Sequence, residues 1–293
     1  MKKIAATALI CAMAFSLAAC SVKQQETTVT ESSETTTQVT ETTEETTETT
    51  TEETALRAPS TQILTKEDYV KNARDKYKKY VKGDCKDDFY APEILIKSSY
   101  ADSVNNDIKK IFEKYKKAFK KDEYAEIYGS DYIVYLTKDG ILSVVFTEHK
   151  GKEVHHVYNI DVTTGEKVDN ARIAQIAGVT SIKTAAMDAL QNAYNSTYEY
   201  FHGAKAGKRV ENYKVIPENG KKLTSEEKNM QATFNEKYFS DDMKVGLTDE
   251  GKMFFIITMY DAAFYSKSVI DADGNSQDYV GNPAWVSPKN TKG

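Results

Sequence analysis

The chain of 293 residues has little cysteine, little proline and one tryptophan. Its three cysteines are Cys11, Cys20 and Cys85, too few and too scattered for a disulfide framework, so stability has to come from a packed core. Past the first twenty residues no apolar run approaches the ~20 residues that a spanning helix needs. There is no excess of positive charge, which argues against a nucleic-acid partner. Nucleophile elbow, His-Glu-x-x-His, P-loop and dinucleotide glycine motifs are all missing. No cofactor is expected, and no compact catalytic constellation can be read from the residues.

The chain opens with an address. Lys2 and Lys3 precede "IAATALICAMAFSL", about the length of a signal-peptide core. The run closes on Leu17-Ala18-Ala19-Cys20, which resembles the lipobox of bacterial lipoproteins. On that resemblance residues 1–19 are a lipoprotein signal peptide, and Cys20 carries a diacylglyceryl group as the mature N-terminus. Two acyl chains at ~0.8 kcal/mol per buried CH₂ make a stable anchor. The expected location is the cell membrane, lipid-anchored and facing outside the cytoplasm. Cys85 is then a single leftover thiol in a polar stretch.

Residues 20–55 continue as a Thr/Glu-rich tract with almost nothing apolar. Such composition cannot offset the entropy of ordering, so a disordered stalk is expected, spanning roughly 30–35 Å as a flexible coil. Of 39 basic and 44 acidic residues, residues 1–55 hold 3 Lys and 9 Glu; the remainder carries 36 basic and 35 acidic residues. The net charge of −5 therefore belongs to the stalk, and residues 56–293 form a nearly neutral extracytoplasmic domain, one large body or two closely packed lobes.

Within that domain, Thr65 with Asp68 reads as a capping box, and Tyr69, Ala73, Tyr77 and Tyr80 follow at helical spacing, predicting a helix across residues 65–81. A strand is expected at Glu93–Ser99, and a helix with Val104, Ile108, Ile111, Phe112, Tyr115 and Phe119 in one stripe. A three-stranded meander should follow, with turns at Asp139-Gly140 and Lys150-Gly151-Lys152. A helix from Ser181 to Phe201, another over Ser225–Phe239 beginning with a Thr224/Glu227 capping box, and a terminal hairpin complete the pattern. Helices and antiparallel hairpins in blocks predict an α+β fold, with sheet meanders packed against several helices.

Several of these segments resemble one extracytoplasmic domain family. It occurs in lysozyme-sensing anti-sigma factors, as the N-terminal half of some peptidoglycan deacetylases, and in lipoproteins. The resemblance rests on Pro92, Asn105-Asn106, "GILSVVF" at Gly140–Phe146, "YNIDVTTG" at Tyr158–Gly165 and "GLTDEGKMFFI" at Gly246–Ile256, and covers residues 91–274. The sequence departs from the family at "AAFYSKSV", which lacks the Pro and Gly of a bend found there. The anti-sigma half and the deacetylase's metal-binding domain are both missing. What the resemblance implies is a non-catalytic binding module for a cell-wall glycan, or for a wall-directed protein such as a lysozyme-like hydrolase. The alternatives are an envelope enzyme or accessory acting on peptidoglycan, and a structural or assembly lipoprotein.

Two clusters invite a metal reading. Glu153 and His155 share a strand face, with His149 across a turn, whereas His155 and His156 point to opposite faces; the expectation is one exposed and one half-buried histidine. "DADGNSQD" places Asp271, Asp273, Asn275 and Asp278 together, but Gly274 stands fourth and Asn282 twelfth, which does not fit an EF-hand loop; a turn is expected. All 19 tyrosines follow the stalk. Tyr and Trp combine a flat apolar face with a hydrogen-bonding tip, so Tyr77, Tyr80, Tyr198, Tyr200, Tyr265 and Trp285 are the candidate binding residues.

Overall fold

A computed structural model describes residues 56–81, 88–121, 127–218, 220–261 and 264–277. The segments read as signal peptide and stalk, residues 1–55 with Cys20 among them, and Cys85, Asp278, Asn282 and Trp285 lie outside the described residues. Those described belong to a compact unit, Glu52–Gly293. Among them no helix is long and apolar enough to cross a membrane.

The fold is α+β. The region predicted as one helix over residues 65–81 is instead α1 (Lys66–Tyr69), β1 (Val70–Asn72), α2 (Arg74–Tyr77) and a short 3-10 turn. The break has a tertiary cause. β1 pairs antiparallel with β2 (Pro92–Ile94), and that pairing overrides a helical periodicity of only moderate strength. The Thr65–Asp68 capping box does form.

α3 (Ser99–Lys120) carries the expected stripe, but its cap and first residue take over the end of the strand expected at Glu93–Ser99, of which only Glu93 and Ile94 lie in β2. Ser98 caps it by accepting from the Ala101 N–H, and the predicted stripe from Val104 to Phe119 is buried. Each such side chain contributes ~1.5–3 kcal/mol on burial. Asn105 fastens the helix to β2: its Oδ1 accepts from Ile94 N at 2.8 Å and its Nδ2 donates to Ile94 O at 2.9 Å.

β3 (Ile127–Leu136), β4 (Ile141–Lys150) and β5 (Val154–Asp161) form the predicted meander, in the order β3-β4-β5. Gly140, at φ +81°, closes the first turn by donating to Thr137 O, a backbone conformation that favours glycine. Two helices follow, α4 (Asn170–Ala177), which the sequence reading did not contain, and α5 (Ile182–His202) with Ser181 as N-cap. A small hairpin of β6 (Val210–Glu211) and β7 (Lys214–Val215) precedes α6 (Ser225–Ala232). α6 is shorter than the predicted helix, and Glu236–Tyr238 form a separate 3-10 turn. β8 (Val245–Leu247), β9 (Met253–Asp261) and β10 (Phe264–Asp271) make the second antiparallel sheet, ordered β10-β9-β8.

Strand alternation sorts these elements into four layers. Leu142, Val144 and Phe146 of β4 face α3. Ile133, Tyr135 and Val145 face the other way, onto Phe254 and Val269 of the second sheet. Phe255, Ile257 and Ile270 of that sheet then face Ala186, Leu190 and Tyr194 of α5. The order is helix, sheet, sheet, helix, so each sheet is covered on both faces.

Candidate functional site

The last two turns of α5 run beyond the core. Tyr194 is the last buried residue of the helix, and its hydroxyl accepts from Tyr260 N at 2.9 Å, near the end of β9. After it come Tyr198, Tyr200, Phe201 and His202. Phe201 is 73% exposed and Tyr200 is 52% exposed. Their rings meet edge to face at 5.1 Å. Tyr198 and His202, one turn apart, have ring centroids 4.3 Å apart. The Arg209 guanidinium lies over the Tyr198 ring at 5.5 Å.

Arg209 is itself fixed. Its Nη1 lies 2.8 Å from the buried Glu227 carboxylate and donates to Ile216 O at 2.6 Å. Burial pushes the Glu227 carboxyl up, but donation from the Glu218 and Thr224 N–H groups and from Arg209 outweighs it and holds the pKa at about 2. Asn195 ties the arrangement to α5: its Oδ1 accepts from the N–H groups of Arg209 and Val210, and its Nδ2 donates to Val210 O. The outcome is a ledge of aromatic rings at a helix end, with a cation held beneath one of them.

The other candidate tyrosines are placed differently. Tyr265, 48% exposed, packs edge-on against Tyr260 at 5.0 Å and directs its hydroxyl at Asn229 of α6. Tyr80 is half-buried against the first core, with the Lys116 ammonium 5.2 Å from its ring. Tyr77 does not belong to a surface. It is 3% exposed and stacked on Phe112 at 4.3 Å, and burial pushes its hydroxyl up to about 12. The sequence reading did not single out Phe201, because it stands outside the helical stripe and apolar residues there carry no special signal.

The histidines resolve into two sites. His156 donates from Nε2 to Glu148 Oε1, 2.9 Å away. His155 points between the sheets with no side-chain exposure, against the expectation of one exposed and one half-buried residue. Its Nδ1 meets Thr147 Oγ1 at 2.8 Å. Among the described residues its Nε2 has no partner within hydrogen-bond distance, and it lies 3.7 Å from Glu153 Oε2. The other Glu153 oxygen meets His149 Nδ1 at 2.9 Å. Burial brings the His155 imidazole down to about 4, so it is neutral at physiological pH. His149, Glu153 and His155 do come together, yet among the described residues no group of three such side chains could hold a metal ion.

The Asp271 segment is a turn. Asp271 Oδ1 accepts from the N–H groups of Asp273 and Asn275, and Oδ2 accepts from Asn275 Nδ2 and Gln277 Nε2. Its carboxylate is committed to local donors, as in an Asx turn. Compared with known proteins, the chain matches no family model, no curated protein and no solved structure.

Proposed function

We propose that the chain is a lipid-anchored binding module of the cell surface, whose head recognises a cell-wall glycan or a wall-directed protein such as a lysozyme-like hydrolase. The observation that carries this reading is the ledge at the end of α5. Tyr200 and Phe201 are exposed far beyond what a helix needs for folding, while Arg209 braces the adjoining Tyr198. Aromatic rings with an arginine beside them are the side chains that dominate binding energy at interfaces, and flat rings also stack on the apolar faces of sugars. Asn195 ties the Arg209 segment to α5, so the cation and the Tyr198 ring are positioned before any partner arrives.

The anchor follows from the Leu17–Cys20 motif, and the stalk supplies reach. Calorimetry of the unit 52–293 against purified peptidoglycan and against lysozyme tests the reading. Saturable heat with lysozyme identifies a protein-recognising head; saturable heat with peptidoglycan alone identifies a glycan module. Heat with neither rejects the proposal in favour of an assembly lipoprotein.

A further inference from the structure

The solvent face of α3 is cationic over its second half. From Ile108 to Lys121 the sequence holds seven lysines and one acid, Glu113. The apolar stripe of the helix is turned to the first sheet, so the seven lysines share the opposite arc, and all of them are exposed. The excess of positive charge survives the flanking sequence, since residues 108–126 carry those seven lysines against four acids. The face extends onto the 3-10 turn beside the helix. Tyr80, half-buried there, has the Lys79 and Lys116 ammonium groups 5.6 and 5.2 Å from its ring centroid. A ring with a polar tip among cations suits the boundary between an apolar phase and water.

Two placements bear on what this face meets. α3 forms one outer layer of the head, and α5 with its aromatic ledge forms the other. Arg57, near the start of the described chain, lies beside α3: its N–H donates to Leu95 O and its carbonyl accepts from Lys97 N, next to the Ser98 cap. The end of the head that leads back toward Cys20 is therefore on the α3 side. We propose that the lysine face of α3 seats the head on an anionic phospholipid surface, the membrane to which Cys20 tethers it, and leaves the ledge of α5 facing away from that surface. Clusters of about four to eight lysines on a helix attract anionic headgroups. A tether raises the effective concentration of the second contact, so that contact can be weak and still hold the orientation. The orienting role rests on the anchor read from Leu17–Cys20; the attraction between the face and anionic lipid does not.

The test is co-sedimentation of the unlipidated unit 52–293 with vesicles of phosphatidylcholine alone and with vesicles of equal parts phosphatidylcholine and phosphatidylglycerol. Lys114→Gln/Lys117→Gln/Lys120→Gln removes charge from the α3 face, and Lys221→Gln/Lys222→Gln/Lys228→Gln, around the start of α6 on the other core, removes the same charge elsewhere. All six side chains are exposed, so both variants should keep their thermal midpoints. The expected result is partitioning onto the anionic vesicles at least about tenfold stronger than onto the neutral ones, and weakened by salt. The α3 variant should lose about tenfold or more of it, and the α6 variant no more than about twofold. Equal partitioning of the unsubstituted head onto the two vesicle types overturns the proposal without recourse to any variant. So does an equal loss in the two variants, which would leave only net charge at work. Tighter binding to soluble polyphosphate than to anionic vesicles, at equal phosphate, also overturns it and gives the face to a polymer instead of a membrane. The vesicles contain neither glycan nor lysozyme, so failure here is separate from failure of the ledge as a recognition surface.

Discussion

The Asn159 side chain of β5 donates its Nδ2–H to the backbone carbonyl of Val245, 2.8 Å away in the other sheet. The bond is one of three in series. Leu247 N donates to Ser143 Oγ at 3.0 Å, and Ser143 Oγ donates to Asn159 Oδ1 at 2.7 Å. All of these groups are buried, and the series satisfies the edge of β8 that β9 does not. Replacing Asn159 by Leu strands the Val245 carbonyl and the Ser143 hydroxyl in the interior. The expected cost is about 2–3 kcal/mol, read by urea denaturation. Ser143→Ala should be strongly non-additive with it, because both act on one network.

Asp131 makes the fold sensitive to pH from the alkaline side. Burial raises its carboxyl from 3.8 to about 7, against the opposing effects of the Tyr132 N–H and His149. An acid with a raised folded pKa binds its proton more tightly in the fold, so stability is lost as pH rises from about 4 to about 7. Asp131→Asn keeps an oxygen for Tyr132 N and carries no charge. It should raise stability at pH 8 by about 1–3 kcal/mol and leave it unchanged near pH 3. Equal effects at the two pH values would refute this assignment.

Glu148 works in the opposite sense. Burial pushes its carboxyl up, but hydrogen bonds from His156, Lys150 and Tyr115 prevail and hold it at about 2. Its contribution is present above the unfolded value near 4.5 and is lost as pH falls toward 2. Glu148→Gln should therefore destabilise at pH 7, on the order of 2 kcal/mol, with a deficit that shrinks between pH 4.5 and pH 2. A deficit independent of pH would assign Glu148 a packing role only.

The parts of this fold legible in the sequence are those whose cause is local. Ser181 and the Thr224/Glu227 capping box announce helix starts, Asp139-Gly140 announces a hairpin, and the stripe from Val104 to Phe119 marks a buried helix face. Local signals failed where a distant segment decides. Val70–Asn72 sit in a helical pattern and become a strand because Pro92–Ile94 lie alongside. Asn159 sits in a buried strand position, and nothing near it in sequence points to Val245. Of the candidate site, Tyr198 and Tyr200 share an exposed helix end, whereas Tyr77, the same residue type, stacks on Phe112. Composition does not separate a tyrosine that packs from one that binds; the neighbour does.

Gly274 is a packing constraint. At φ +85° a side chain is already strained, and a Cβ there would stand 2.4 Å from Ala193 N and 2.6 Å from Asn192 C, both backbone atoms of α5. Asn192 Nδ2 bonds Ala272 O beside it. Gly274→Ala should cost about 2–4 kcal/mol and lower the thermal midpoint accordingly; a change below ~0.5 kcal/mol would mean the turn can move away from the helix.

The central claim is that the end of α5 is a recognition surface. Its most direct test is calorimetric titration of the unit 52–293, side by side with Tyr200→Ala/Phe201→Ala, against whichever of peptidoglycan and lysozyme gives saturable heat. Both side chains are exposed, so the variant should keep its thermal midpoint within a few degrees. The account predicts binding weakened by about tenfold or more, equivalent to at least one hot-spot side chain. Unchanged affinity in a folded variant would contradict it and move recognition to another face of the head.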